Sequence, residues 1–89
     1  MIQKREFEHR PQIKTIKIPL TGYNLEKFPD LFKDIHFDEP FLLICDRRIN
    51  PIFVKKIQDV LRPKETILYD KPGERPIIGD RSVLYFEIE

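Results

Sequence analysis

Phe41-Leu42-Leu43-Ile44-Cys45-Asp46-Arg47-Arg48-Ile49-Asn50-Pro51, with the stripe Phe53, Val54, Ile57, Val60 and Leu61 behind it, decides the fold of this 89-residue chain. Residues 41–45 are apolar without alternation, and so short and continuous a run suits a strand covered on both faces, in mid-sheet. Asn50-Pro51 then supplies a side-chain cap and a proline at the first helical position, where the missing N–H is no loss. The apolar positions that follow recur at helical spacing, and Pro63 stops them. A buried strand feeding a helix is half of a β-α-β unit and places the chain in the α/β class.

Upstream, Lys14 to Leu20 alternates: Ile16, Ile18 and Leu20 share one face, Thr15, Lys17 and Pro19 the other, as in a half-buried strand. Pro19 cannot donate to a ladder and argues for a sheet edge or strand end. Thr21-Gly22-Tyr23-Asn24 reads as a turn, with Asn24 capping a helix whose apolar side is Leu25, Phe28, Leu31, Phe32 and Ile35. Pro29 divides that stretch into a first turn over 25–28 and a regular helix from about Pro29. Downstream, Thr66 to Tyr69 reads as another buried strand and Lys71-Pro72-Gly73-Glu74 as a tight turn. Ile77-Ile78, Gly79-Asp80 and Ser82 to Ile88 together read as a β-hairpin on a type II′ turn. Residues 1–12, with only Ile2 and Phe7 as apolar anchors, form a flexible arm or an edge strand, and 13–89 a single domain.

The expected order is β-α-β-α-β plus a C-terminal hairpin in a mixed sheet, its helices mainly on one face. That is a two-layer sandwich of the α/β class, with α+β as the variant. Two strands are apolar on both faces and only two helices are available to cover them. Either the helices lie on opposite faces or, as expected for so short a chain, they share one face and a second copy covers the other in a homodimer.

Hydrophobic residues make up 40% and charged residues 35% of the chain, with a net charge of +1, on the globular side of the boundary with disorder. No apolar run approaches the ~20 residues a membrane helix needs, and residues 1–12 are charged rather than signal-like, so a cytoplasmic protein with no membrane contact is expected. Cys45 is the single cysteine; inside an apolar run it reads as an inert buried thiol. The chain has thirteen isoleucines and no alanine, few Asn and Gln, and many Pro and charged residues. The last two biases run in the direction of thermophilic proteins, and point to a thermophile or a virus of one.

Ligands of open α/β sheets sit outside the carboxyl ends of the strands. There Arg47, Arg48 and Asn50, with Arg75 from beyond the third strand, form a candidate anion site at a helix start. The competing reading pairs those arginines with Asp46 and Glu74. Residues 24–45 carry a local charge of −3 and residues 46–75 one of +3, which favours self-pairing or a charged protein partner. A nucleic-acid surface would use Lys4, Arg5 and Arg10 of the arm, Lys14 and Lys17 of the first strand, and Lys55, Lys56 and Arg62 of the second helix. Tyr23 and Tyr85 would be its stacking residues, since most phenylalanines fall at core positions. For catalysis, His9 and His36 have no metal or acid-base spacing and Ser82 has no neighbouring base, so neither catalytic residue, metal nor cofactor is expected.

From Ile16 to Glu74 the order of strand, short helix, apolar strand ending in Asp46, helix after Pro51, and strand leading to Gly73-Glu74 resembles the start of the 3-dehydroquinate synthase family. The resemblance implies that Asp46 and Gly73-Glu74 help hold a nicotinamide dinucleotide. Arg75-Pro76 stands where that family has a nearby lysine, and its glycine-rich strand end and metal-binding domain have no counterpart, so its activity is not carried over. The reading adopted from the sequence is a small non-enzymatic interaction module, a homodimeric regulator or inhibitor that binds another protein through its sheet edge or charged helices. A nucleic-acid-binding protein and an anion- or dinucleotide-binding fragment are the alternatives.

Overall fold

The computed structural model describes residues 10–70 and 75–89. They form four strands and one α-helix: β1 (Ile13–Ile18), β2 (Leu42–Asp46), α1 (Pro51–Leu61), β3 (Glu65–Tyr69) and β4 (Val83–Ile88). A single 3-10 turn, Phe28–Leu31, lies between β1 and β2. The strands make one all-parallel sheet in the order β1-β4-β2-β3.

The sheet follows from side-chain period. In β2 and β4 both parities are apolar, so each needs cover on two faces and neighbours on two sides, and these are the two inner strands. On one face Ile16, Ile18, Leu43, Cys45, Leu84 and Phe86 meet Phe53 and Ile57 of α1 and Phe28 and Phe32 from the 3-10 region. Phe28 is fully buried there, its ring stacked 4.7 Å from that of Phe53 and tilted 5.9 Å from that of Phe86. Burial of one such ring is worth about 1.5–3 kcal/mol. On the other face Leu42, Ile44, Val83, Tyr85 and Tyr69 form a second cluster, with Ile67 and Ile78 against it.

α1 begins and ends where its sequence directs. Asn50 Oδ1 accepts the N–H of Ile52 at 2.9 Å, Pro51 takes the first position, and Arg62 closes the helix in the left-handed conformation, φ 52°, before Pro63. The starts of β1, β2 and β4 are tied by a polar knot. Ser82 Oγ accepts the N–H of Gln12 at 2.9 Å and donates to Glu39 at 2.5 Å, while Gln12 Oε1 accepts the N–H of Asp38 at 2.9 Å.

Four expectations need correction. The first helix does not form: residues 25–34 hold only turns and the 3-10 segment. Pro29 has no N–H to give to a continuing α-helix, and the segment closes short bonds such as Phe32 N–H to Pro29 O while still burying Phe28 and Phe32. Asn24 does cap, accepting the N–H of Glu26 at 2.8 Å, but what it opens is a turn. The C-terminal hairpin is also absent among the described residues, because the fully buried Val83-Leu84-Tyr85-Phe86 run demands a strand on each side and takes β1 and β2, both parallel. The sheet is therefore all-parallel rather than mixed, and Ile77, 87% exposed, belongs to no strand.

Third, β3 is an edge strand rather than a buried one. Fourth, the face opposite α1, expected to lie uncovered, buries its own cluster within the chain. The connection from β3 to β4 crosses it without a helix among the described residues and lays Ile78 on the second cluster. The mid-sheet place of β2, the edge place of β1 ahead of Pro19 and the limits of α1 agree with the sequence reading. The arm over residues 1–9 and the turn over 71–74 lie outside the described residues.

Candidate functional site

At the carboxyl end of β2 the chain turns sharply around Asp46. Its Oδ1 accepts from Arg48 N–H at 2.9 Å and Arg48 Nε at 3.1 Å, and its Oδ2 accepts from Nη2 at 2.8 Å. This buried carboxylate is held below its ordinary pKa of 3.8, first by the side-chain hydrogen bond from Arg48 and then by the backbone bond and charge of the same residue, against the opposing effect of burial. Arg47 donates its N–H to Tyr69 O at 2.9 Å and pairs its guanidinium with Asp70. Arg75 lies on the far face of the sheet, bonded to Glu87 at 2.9 Å and stacked over Tyr85.

The four candidate anion ligands are thus not one site. Each arginine faces a carboxylate, and Asn50 is occupied as the helix cap. A cleft of about 530 Å³ does open at this rim between Pro19, Tyr23, Asn50 and Phe53, with Arg48 on its wall. Asp46 pairs with Arg48 as the competing reading had it, while Arg75 takes Glu87; Glu74 is outside the described residues.

The candidate nucleic-acid cations are spread apart. Lys14 and Lys17 alternate on β1, so they face opposite sides of one sheet edge, and Lys14 lies 5.7 Å from the Phe37 ring. Lys55, Lys56 and Arg62 belong to α1 and its cap, and Lys55 pairs with Asp59 at 3.2 Å. Arg10 is exposed at the start of the described chain, and Lys4 and Arg5 precede it. Of the stacking candidates, Tyr85 is buried and donates to Pro76 O at 2.8 Å, and Tyr23 packs edge-on against Phe28.

Catalytic groups are no better assembled. His36 pairs with Asp38 at 3.2 Å on the open surface, Ser82 is buried in the polar knot, and His9 is not described. Among the described residues no group of three His, Cys, Asp or Glu could hold a metal ion. Cys45 is buried and its thiol is pushed up to about 12 by desolvation and then by the charge of Asp46, an unreactive form. No helix among the described residues is long and apolar enough to cross a membrane.

The feature that the sequence reading missed is a groove of about 710 Å³ between α1 and β3. Ile49, Ile52, Val54 and Leu68 form its apolar floor, and Arg47, Lys55, Lys56 and Asp59 its rim. Leu68 is 42% and Ile52 53% exposed. Gln58 Nε2 donates to Thr66 Oγ1 at 2.8 Å and fixes the helix against the strand. Beyond β3 no further strand pairs with the sheet among the described residues, so the groove runs beside an open edge. One signal was available in sequence: Ile52 stands off the helix stripe, an apolar residue on the polar side.

No family model, no curated protein and no solved structure matches this chain. Of the residues that the resemblance to 3-dehydroquinate synthases implies for a dinucleotide, Asp46 is engaged by Arg48, and Gly73-Glu74 lie outside the described residues.

Proposed function

We propose that the chain is a non-enzymatic interaction module, of the kind used by small regulators and inhibitors, that receives a protein partner along the β3 edge and the groove beside α1. The observation that carries this reading is the exposure of Leu68 and Ile52 beside a strand that has no neighbour on its outer side among the described residues. Natural sheets blunt exposed edges with charge, proline or a covering element, since an open edge is a template for a further strand. β3 carries no proline, and its middle residues Thr66, Ile67 and Leu68 are uncharged. An extended segment added there would gain main-chain hydrogen bonds from the edge and specificity from the groove, the mode of recognition called β-augmentation.

Site-specific photocrosslinking tests the proposal. A photoreactive residue at position 52 or 68 should give a protein adduct in the source cell, and the same residue at Lys33, remote from the groove in sequence and structure, should not. Equal labelling at all three positions, or none at 52 and 68, would refute it.

A further inference from the structure

Resting on that reading, we infer that the occupant of the β3 edge is a second copy of this chain, paired antiparallel through its own β3 about a two-fold axis at Ile67. The backbone fixes which groups are free. Leu42 donates its N–H to Ser82 O, toward β4, and Arg47 donates to Tyr69 O, toward β3. The even residues of β2 therefore bond β4 and the odd ones bond β3. In the register Ile44 to Ile67 and Asp46 to Tyr69, this uses Glu65, Ile67 and Tyr69 of β3 and leaves Thr66 and Leu68 pointing their N–H and C=O outward.

An antiparallel pair centred on Ile67 sets Thr66 opposite Leu68 of the second copy and Leu68 opposite its Thr66. Both are the outward-pointing residues, so each pair exchanges two N–H···O=C bonds. The same axis sets Lys64 opposite Asp70 of the second copy, and Asp70 opposite its Lys64. The strand is flanked by opposite charges, Lys64 and Asp70, which this sense of pairing sets against each other across the seam, Asp70 also facing Arg47 of its own chain. The exposed Leu68 side chain lies on the α1 side of the seam, where the second copy's groove closes over it.

The other edge is guarded. β1 carries a lysine on each face, Lys14 and Lys17, and Pro19 follows the strand at once, the charge and proline that blunt an exposed edge. Self-association therefore belongs at β3, through the edge of the sheet and not through its face.

The test is sedimentation of the full chain across the micromolar range, together with cysteine crosslinking in a Cys45→Ala background. At a non-hydrogen-bonded antiparallel pair the two Cα atoms lie ~4.5 Å apart, within disulfide range. Oxidation of Ile67→Cys should yield a covalent dimer, and oxidation of Lys17→Cys on the β1 edge should not. Leu68→Lys should weaken wild-type dimerisation roughly tenfold or more, the equivalent of losing one buried apolar contact. Lys64→Asp, which sets like charges opposite each other, should weaken it in the same direction. A wild-type chain that stays monomeric, or an Ile67→Cys variant that does not crosslink, overturns the self-pairing. In that event a heterologous adduct at positions 52 and 68 leaves the protein-binding reading standing, whereas no adduct at all removes both.

Discussion

The guanidinium of Arg75 lies over the ring of Tyr85, 4.0 Å from its centroid. The same group donates to Glu87 at 2.9 Å, and the Tyr85 hydroxyl donates to Pro76 O at 2.8 Å. These contacts clasp the described part of the β3–β4 connection to the sheet face. Arg75→Ala should destabilise the fold by about 1–2 kcal/mol, the sum of a partly desolvated cation–π contact and a charge-assisted hydrogen bond. Arg75→Lys should recover only part of this, because an ammonium cannot stack flat and fork at once. Urea midpoints of the three chains give the comparison.

Leu43 is fully buried at the centre of the helix-side cluster, whereas Val60 of α1 is 62% exposed. Leu43→Ala should cost about 2–5 kcal/mol through lost transfer energy and a residual cavity. Val60→Ala should stay within about 0.5 kcal/mol, as a surface change does. Chemical denaturation of the two variants checks the ratio, and a large loss at Val60 would show that its side chain is covered in solution.

Arg62 caps α1 at φ 52°, a conformation that disfavours a residue bearing a Cβ. Replacing it with glycine relieves that strain and should raise stability by about 1 kcal/mol, read as an increase in Tm. The same variant removes one of the candidate nucleic-acid cations.

Asp46 titrates below its ordinary 3.8 because Arg48 binds its ionised form. The unfolded chain therefore takes up this proton first as pH falls, and the stability contributed by the pair is complete above about pH 4 and lost progressively below it. Asp46→Asn should be less stable at neutral pH and should show a flatter acid limb in a pH series of urea midpoints.

The alkaline limb has the opposite origin. Burial pushes the Cys45 thiol from 9.0 and the Tyr69 hydroxyl from 10.0 up to about 12 each, aided by nearby carboxylates. Both groups ionise sooner in the unfolded chain, so their contribution is intact below about pH 9 and declines as pH rises toward 12. The Cys45→Ala, Tyr69→Phe double variant should lose that dependence, and the native thiol should resist alkylation at pH 8 until the chain is unfolded.

The parts of the fold that were legible in the sequence carry their own punctuation. Asn50-Pro51 and Pro63 bracket α1, and the unbroken apolar run before Asp46 marks an inner strand. The illegible parts are those where one residue pattern serves two structures. Phe28, Leu31, Phe32 and Ile35 have helical spacing, yet a 3-10 turn and loose turns bury the same side chains once Pro29 removes a bond. Gly79-Asp80 is a good hairpin turn, but only the two-sided apolar character of Val83 to Phe86, weighed against the modest apolar content of Pro76 to Ile78, reveals that the strand inserts elsewhere. The groove was hidden for a different reason. Leu68 looks like core in a strand read as buried, and no local pattern states that β3 has a neighbour on one side alone.

The place of β4 has a consequence for how the molecule is made. β1 and β2 share no ladder, and each is joined to the sheet through β4, the strand synthesised latest of the four. While the chain emerges, β2, α1 and β3 can close on one another as a local unit, but β1 has nothing to pair with until residues 83–88 arrive. Its partner lies about seventy residues away, a separation that slows folding and prolongs the exposure of Ile16 and Ile18. Assembly of this sheet is a deferred event, completed when one late strand slides between two that were waiting.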